Sequence, residues 1–263
     1  MAVRRELIAD GVLLVTLDRP ERKNAFDEAQ WDDAARALAE ARDDSRVACL
    51  MLTGAGGDFS AGVDLTSFGK VSKRSDAFSS GYDHFMVRLV EFDKPLLAAV
   101  QGVGVGIGCT LLFHCDVVYM GEAARLRLPF AALGLVPEGA SSYLLPQVVG
   151  SRVATELLFT AEWIDAQRAL EVGIATRVFR DDQVLAATLA KAREIAQYDP
   201  GTLQAIKQTL LAHRRSGIDA ARKVEAEGMS RLAGGPANRE AIQAFLEKRK
   251  PDFRKLRGDR TQP

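Results

Sequence analysis

Hydrophobic and polar positions alternate along the first half of the chain with two distinct periods. The stretch Glu6-Leu-Ile-Ala-Asp-Gly-Val-Leu-Leu-Val-Thr-Leu17 holds two apolar runs around Asp10-Gly11, a pair suited to a two-residue turn with positive φ, so a β-hairpin is predicted to open the fold. From residue 27 to 44, Trp31, Ala34, Ala35, Leu38 and Ala41 recur at helical spacing behind acidic residues. Residues 47–53 are continuously apolar, as in a strand covered on both faces. The alternation returns as a helix-like 85–92, a strand at 96–100, a helix after Gly106, and short β-like runs at 117–120 and 126–128. Strand, helix, strand at this spacing predicts parallel β-α-β units. Beyond Gly150 the pattern is amphipathic and helical, at 151–159, 165–171, 181–197, 201–215 and 236–249, with one apolar run at 174–179. Gly217 and Gly234-Gly235-Pro236 are expected to break one packed helix from the next.

Composition narrows the class. In 263 residues, 47% hydrophobic and 27% charged with Gly 22 and Pro 9, the chain is long and apolar enough for one large globular domain or a domain with an appendage. Thirty-five basic residues balance 35 acidic ones, so no overall field draws it to nucleic acid or an anionic membrane, and anionic ligands must be met locally. Cys49, Cys109 and Cys115 form no C-x-x-C pair, which predicts free thiols, no structural metal and a reducing, cytoplasmic setting. The N-terminal basic residues have no apolar core behind them, so no secretory signal is expected. Residues 95–113 are long enough to span a bilayer, but Gly102, Gly104, Gly106 and Gly108 would each cost a helix about 1 kcal/mol relative to Ala. A buried strand entering a Gly-rich turn fits better.

Three segments have the make-up of chemical sites. Gly54-Ala-Gly-Gly-Asp-Phe-Ser-Ala-Gly-Val-Asp-Leu65 follows a strand, and its free N–H groups suit an anionic oxygen. Ala99-Val-Gln-Gly-Val-Gly-Val-Gly-Ile-Gly-Cys109 also follows a strand and opens a helix. Its glycines miss the G-x-G-x-x-G spacing of dinucleotide sites, and no Gly-Lys-Ser/Thr phosphate loop exists. In Leu133-Gly-Leu-Val-Pro-Glu-Gly-Ala-Ser-Ser-Tyr143, Glu138 sits among apolar and small residues. Such a carboxylate is either desolvated toward the pKa of a general base or the first-turn glutamate of a helix. No G-x-S-x-G elbow accompanies His84, His114 or His213, and the basic run 247–257 reads as a solvated tail or a phosphate clamp.

Five ordered stretches resemble the enoyl-CoA hydratase/isomerase (crotonase) family: Leu17-Asp-Arg-Pro-Glu-Arg-Lys-Asn-Ala-Phe26, Phe59-Ser-Ala-Gly-Val-Asp-Leu65, Ala99-Val-Gln-Gly, Gly134-Leu-Val-Pro-Glu-Gly-Ala-Ser-Ser142 and Ala244-Phe-Leu-Glu-Lys-Arg-Lys-Pro-Asp-Phe253. The resemblance implies an α/β fold, a crotonase-like β-β-α spiral core over residues 1–200 with the acyl-CoA site, and a helical C-terminal trimerisation region over 201–263. It implies an acyl-CoA thioester substrate, coenzyme A arriving as part of that substrate with no separate cofactor, and a homotrimer or dimer of trimers. Carried over by position, the oxyanion hole is the N–H groups of Val63 and Ile107, the latter where the family usually has Gly. Lys23, Asn24, Ala25, Phe26, Ala61, Gly62, Asp64 and Leu65 are expected to line the coenzyme A channel, largely through backbone groups. Phe253, Arg254 or Lys255 is expected to reach a neighbouring subunit's nucleotide.

Family hydratases carry two acids, and here Thr110 and Phe130 stand at those positions. Glu138 remains, in a setting similar to peroxisomal-type enoyl-CoA isomerases, while a related ring-isomerising branch carries Asp there. The implied activity is the shift of a 3-enoyl-CoA double bond to the trans-2 position. Alternatives are the ring isomerase, a hydratase, or an inert acyl-CoA binder. Pocket depth is expected to depend on residues 66–85.

Overall fold

The computed structural model describes residues 2–64 and 80–260; Leu65 and most of the stretch expected to set pocket depth lie outside the described residues. The hairpin forms, closed by the three residues Ala9–Gly11 rather than by two. β1 (Val3–Ile8) and β2 (Val12–Leu17) pair antiparallel from Val3 opposite Leu17 to Ile8 opposite Val12, and Asp10 and Gly11 take φ of 74° and 80° in the turn. β3 (Cys49–Gly54), β4 (Leu96–Val100), β6 (Val117–Gly121) and β9 (Arg177–Phe179) continue the sheet in parallel, giving the order β1-β2-β3-β4-β6-β9. A second sheet joins β5 (Val103–Val105), β7 (Arg125–Arg127) and β8 (Trp163–Asp165).

The central strands are apolar throughout because both faces are covered. Leu50, Leu52, Leu96, Ala98 and Val100 face a large core with α1 (Glu28–Asp43) and α2 (Ser80–Glu91). Cys49, Met51, Leu97 and Ala99 alternate with them and pack against Ala192 of α7 (Val184–Ala196) on the other side. This is the two-residue period of a strand expressed as two cores. α1 begins where expected, its Asp27 carboxylate accepting the Gln30 N–H at 2.9 Å. The helix after Gly106 is a single turn, α3 (Ile107–Thr110), followed by a 3₁₀ turn at Leu111–His114. Residues 95–113 are therefore two strands and short turns, and among the described residues no helix is long and apolar enough to cross a membrane.

The remaining helices are α4 (Ser141–Val149), α5 (Ser151–Thr160), α6 (Ala166–Glu171), α8 (Pro200–Ala212), α9 (Arg215–Leu232) and α10 (Pro236–Leu246). Gly235 and Pro236 start α10 as expected, but Gly217 is no break: it lies inside α9. A Cβ there would come within 2.3 Å of the Tyr143 ring, so the glycine is a close-approach residue between α9 and α4. The C-terminal helices are tied to the sheet region at buried points. Lys207 of α8 donates to Asp116 Oδ2 at 2.8 Å, and Asn238 of α10 donates to the Leu133 carbonyl at 2.9 Å.

Candidate active site

Glycine brings the three segments together. The loop after β3 runs alongside β5, with Ser60 N donating to Val103 O and Val105 N donating to Ser60 O, each at 2.9 Å. Gly62 has φ of 89°, and a Cβ on it would lie 2.5 Å from Val105 O. Gly139, with φ of 71°, packs so closely on α3 that a Cβ would lie 2.9 Å from Thr110 Oγ1 and 3.7 Å from Ile107 Cδ1. Val63, half-buried, and Ile107, fully buried, therefore flank the same junction as Glu138. No acceptor among the described residues takes the N–H of either.

Glu138 precedes α4, whose N-cap is Ala140 at φ of 58°, so the first-turn reading of this residue is excluded. Its carboxylate is buried, 6% exposed, and its hydrogen-bond partners are hydroxyls: Thr110 donates to Oε1 at 2.8 Å and Tyr82 to Oε2 at 2.9 Å. The other buried carboxylates differ. Asp33 accepts the Ala2 N–H, Asp64 faces Arg19, Asp93 faces Arg42 and Gln208, and Glu225 of α9 accepts N–H groups from Ala140 and Ser142. A carboxylate held by two hydroxyls in an apolar pocket, with no cation against it, is less favoured as an anion. Burial, with a smaller push from Glu225, raises the Glu138 pKa to about 7 against the opposing Thr110 and Tyr82 bonds. Behind the turn, His114 Nε2 donates to Gly139 O at 2.8 Å, and burial pushes its pKa down to about 4, so the ring is a neutral donor.

The segment 23–26 is joined to 61–64 by backbone bonds: Ala61 N to Lys23 O at 2.8 Å, Phe26 N to Gly62 O at 2.7 Å and Asp64 N to Phe26 O at 2.9 Å. The side chains mostly serve that junction rather than a channel. Asn24 is fully buried, accepting the Arg19 N–H and donating to Ala55 O and Asp58 O, and Asp64 is buried 3.4 Å from the Arg19 guanidinium. Phe26 stacks on Trp31 with centroids 4.2 Å apart, deep in the core, and Ala25 is buried with its carbonyl taken by Arg19. Lys23 alone projects, pairing with Asp58 at 3.3 Å. The backbone N–H and C=O groups of Asn24, Ala25 and Phe26, expected to line a channel, are likewise all bonded within the fold. Phe130 is buried in the main core, its carbonyl accepting the Leu135 N–H on the way to Glu138.

Sequence reasoning missed Tyr82 and Glu225. A signal existed for both. Tyr82, Phe85, Met86 and Leu89 form the buried stripe of α2, and Glu225 interrupts the buried stripe Ile218, Gly228, Met229 of α9. A polar group at a core position of a helix asks for a buried partner. Among the described residues no group of three or more His, Cys, Asp or Glu is placed to hold a metal ion.

The sequence model of the enoyl-CoA hydratase/isomerase family matches residues 8–256. The chain is 35% identical over 243 residues to 2,3-dehydroadipyl-CoA hydratase of Escherichia coli K12, covering 92% of this chain and 95% of that one. It is 34% identical over 253 residues to 1,2-epoxyphenylacetyl-CoA isomerase of the same organism, covering 94% and 96%. Among solved structures, an enoyl-CoA hydratase/isomerase from Pseudoalteromonas atlantica T6c superimposes with a TM-score of 0.90 at 34% identity, covering 96% of this chain and all of that one. The chain belongs to the enoyl-CoA hydratase/isomerase family and has its crotonase fold, and an acyl-CoA thioester is the class of substrate that membership brings.

Proposed function

We propose that this enzyme isomerises a 3-enoyl-CoA to the trans-2-enoyl-CoA with Glu138 as a single proton shuttle. The observation that carries the reading is one buried carboxylate held by two hydroxyls, with its pKa raised to about 7, beside two N–H groups that no acceptor among the described residues takes. Ionised Glu138 takes the proton from C2 of the substrate, and the electron pair spreads through the diene to the thioester oxygen. The N–H groups of Val63 and Ile107 donate to that oxyanion, each worth roughly 2.7–4 kcal/mol in a dry site. The protonated Glu138 then returns the proton at C4, restoring the carboxylate and the thioester carbonyl. A pKa near operating pH serves both halves of this shuttle.

Hydration would ask for a second group to manage water, and the positions that carry acids in the hydratases hold Thr110 and Phe130, both buried. Glu225, a buried carboxylate behind the 138–142 turn, is occupied by three donors from Ala140 and Ser142. Assaying the purified protein with a 3-enoyl-CoA and a 2-enoyl-CoA side by side tests the reading. Isomerisation without hydration supports it, hydration alone overturns it, and tight acyl-CoA binding with neither activity assigns an inert binder. The enzyme is proposed to work in the cytoplasm as a homotrimer or dimer of trimers. Phe159 on α5 and Val224, Phe245 and Leu246 on the C-terminal helices, 60–78% exposed, are the apolar surface such an assembly would cover.

A further inference from the structure

α4 starts without a side-chain cap of its own: its N-cap is an alanine in the left-handed region. The missing acceptor comes from α9. Glu225 Oε2 accepts the Ala140 N–H at 2.8 Å, and Oε1 accepts the Ser142 N–H at 2.9 Å and the Ser142 hydroxyl at 2.6 Å, from 83 positions away for Ser142. Glu225 is 5% exposed, and the turn it grips begins two residues after Glu138. We infer that Glu225 is the positioning residue of this site: its carboxylate caps α4 from the C-terminal region, fixes the 138–142 turn, and holds a negative charge behind Glu138.

Burial raises the Glu225 pKa, and the bonds from Ser142 and Ala140, with Arg222 one turn earlier on α9, act against that rise. The other titratable groups facing the pair are Tyr82 of α2, Cys109 of α3, and His114 with Lys207 beyond it; burial holds the Cys109 thiol and the His114 ring neutral. The electrostatic partner that pushes Glu138 toward its protonated form is thus Glu225. Such a charge makes Glu138 a stronger base than the same carboxyl beside a neutral group.

The inference rests on Glu138 being the shuttle, so its test includes a readout that needs no reaction. In the full-length protein, the carboxyl absorption lost in Glu138→Gln is followed by infrared titration, and the pH profile of kcat/KM for a 3-enoyl-CoA is recorded beside it. Glu225→Gln is expected to lower the Glu138 titration midpoint by about 0.5 pH unit or more, a threefold loss of proton affinity, with the acid limb of kcat/KM moving the same way. Glu225→Asp keeps the charge but withdraws the cap; its midpoint should hold while kcat falls about tenfold at unchanged KM. An unmoved midpoint in Glu225→Gln overturns the inference, as does a Glu225→Asp protein with full kcat should the Gln variant not fold. A wild type that does not isomerise, yet shows the infrared shift, removes the proposed reaction and leaves this pairing standing.

Discussion

Tyr82 donates its hydroxyl hydrogen to Glu138 Oε2 at 2.9 Å and accepts the N–H of Gly139 at 3.0 Å, so one phenol holds both the carboxylate and the backbone that follows it. The ring is fixed from behind by Trp31, edge-on with centroids 5.4 Å apart. A rigid aromatic in a packed core thus sets the direction of a buried acid.

Tyr82→Phe keeps the ring and deletes the bond. The hydroxyl lowers the Glu138 pKa, so its loss should raise it, moving the acid limb of kcat/KM to higher pH. The Gly139 N–H loses its acceptor, which costs about 1–3 kcal/mol. Urea unfolding and a pH–rate profile read both effects, and a limb that moves down would contradict the geometry.

Glu138→Gln should leave the fold intact and cut isomerase turnover by about two to four orders of magnitude. It should also change how stability depends on pH. A carboxyl raised from 4.5 to about 7 binds more protons folded than unfolded within that window, so wild-type stability falls as pH rises through it, by roughly 3 kcal/mol. Denaturant midpoints at pH 5 and pH 8 should differ by less in the variant than in the wild type.

How much of this was readable from sequence divides along the distance between partners. The hairpin at Asp10-Gly11, the helix capped by Asp27 and the strand at 96–100 are local: turn residues, caps and apolar periods specify them within a dozen positions. Glu138 was legible as a carboxylate among apolar neighbours, but whether it stood in a helix's first turn depended on Ala140 taking φ of 58°, which an alanine does not announce. Tyr82 and Glu225 act across 56 and 83 positions, and nothing in their own surroundings says which polar group they meet. Gly217 failed for the same reason, its meaning lying in Tyr143.

Gly62→Ala should disable the site. Its φ of 89° disfavours any side chain, and the new Cβ would meet the Val105 carbonyl at 2.5 Å, backbone held in β5 by its pairing with Arg127. The loop carrying Val63 must then move, costing about 1–3 kcal/mol for the strained residue alone. Calorimetric affinity for an acyl-CoA and isomerase turnover should fall together, whereas a variant with both intact would place the thioester elsewhere.

The assembly can be tested on α10. Phe245→Asp with Leu246→Asp puts charge on side chains 60% and 69% exposed, so the isolated fold should tolerate it, while an interface built on them should not. Sedimentation should show the wild type as a trimer or its dimer and the variant as smaller species. An unchanged mass would move the interface off this helix.

Gly217→Ala gives opposite signs from sequence and from structure. An interior helical glycine replaced by alanine should stabilise by about 0.5–1 kcal/mol, since Gly loses more backbone freedom on folding. In this fold the added Cβ would lie within 2.3–2.8 Å of three Tyr143 ring atoms, and Tyr143 sits in the first turn of α4 beside Ser142. Overpacking of that kind costs about 1–3 kcal/mol. The displaced α9 also carries Glu225, so its bonds to Ala140 and Ser142 should loosen and kcat should drop with stability. A raised melting temperature with full turnover would show that α9 and α4 have room the present packing denies; a lowered one, with kcat falling in step, ties the C-terminal helix to the turn that bears Glu138.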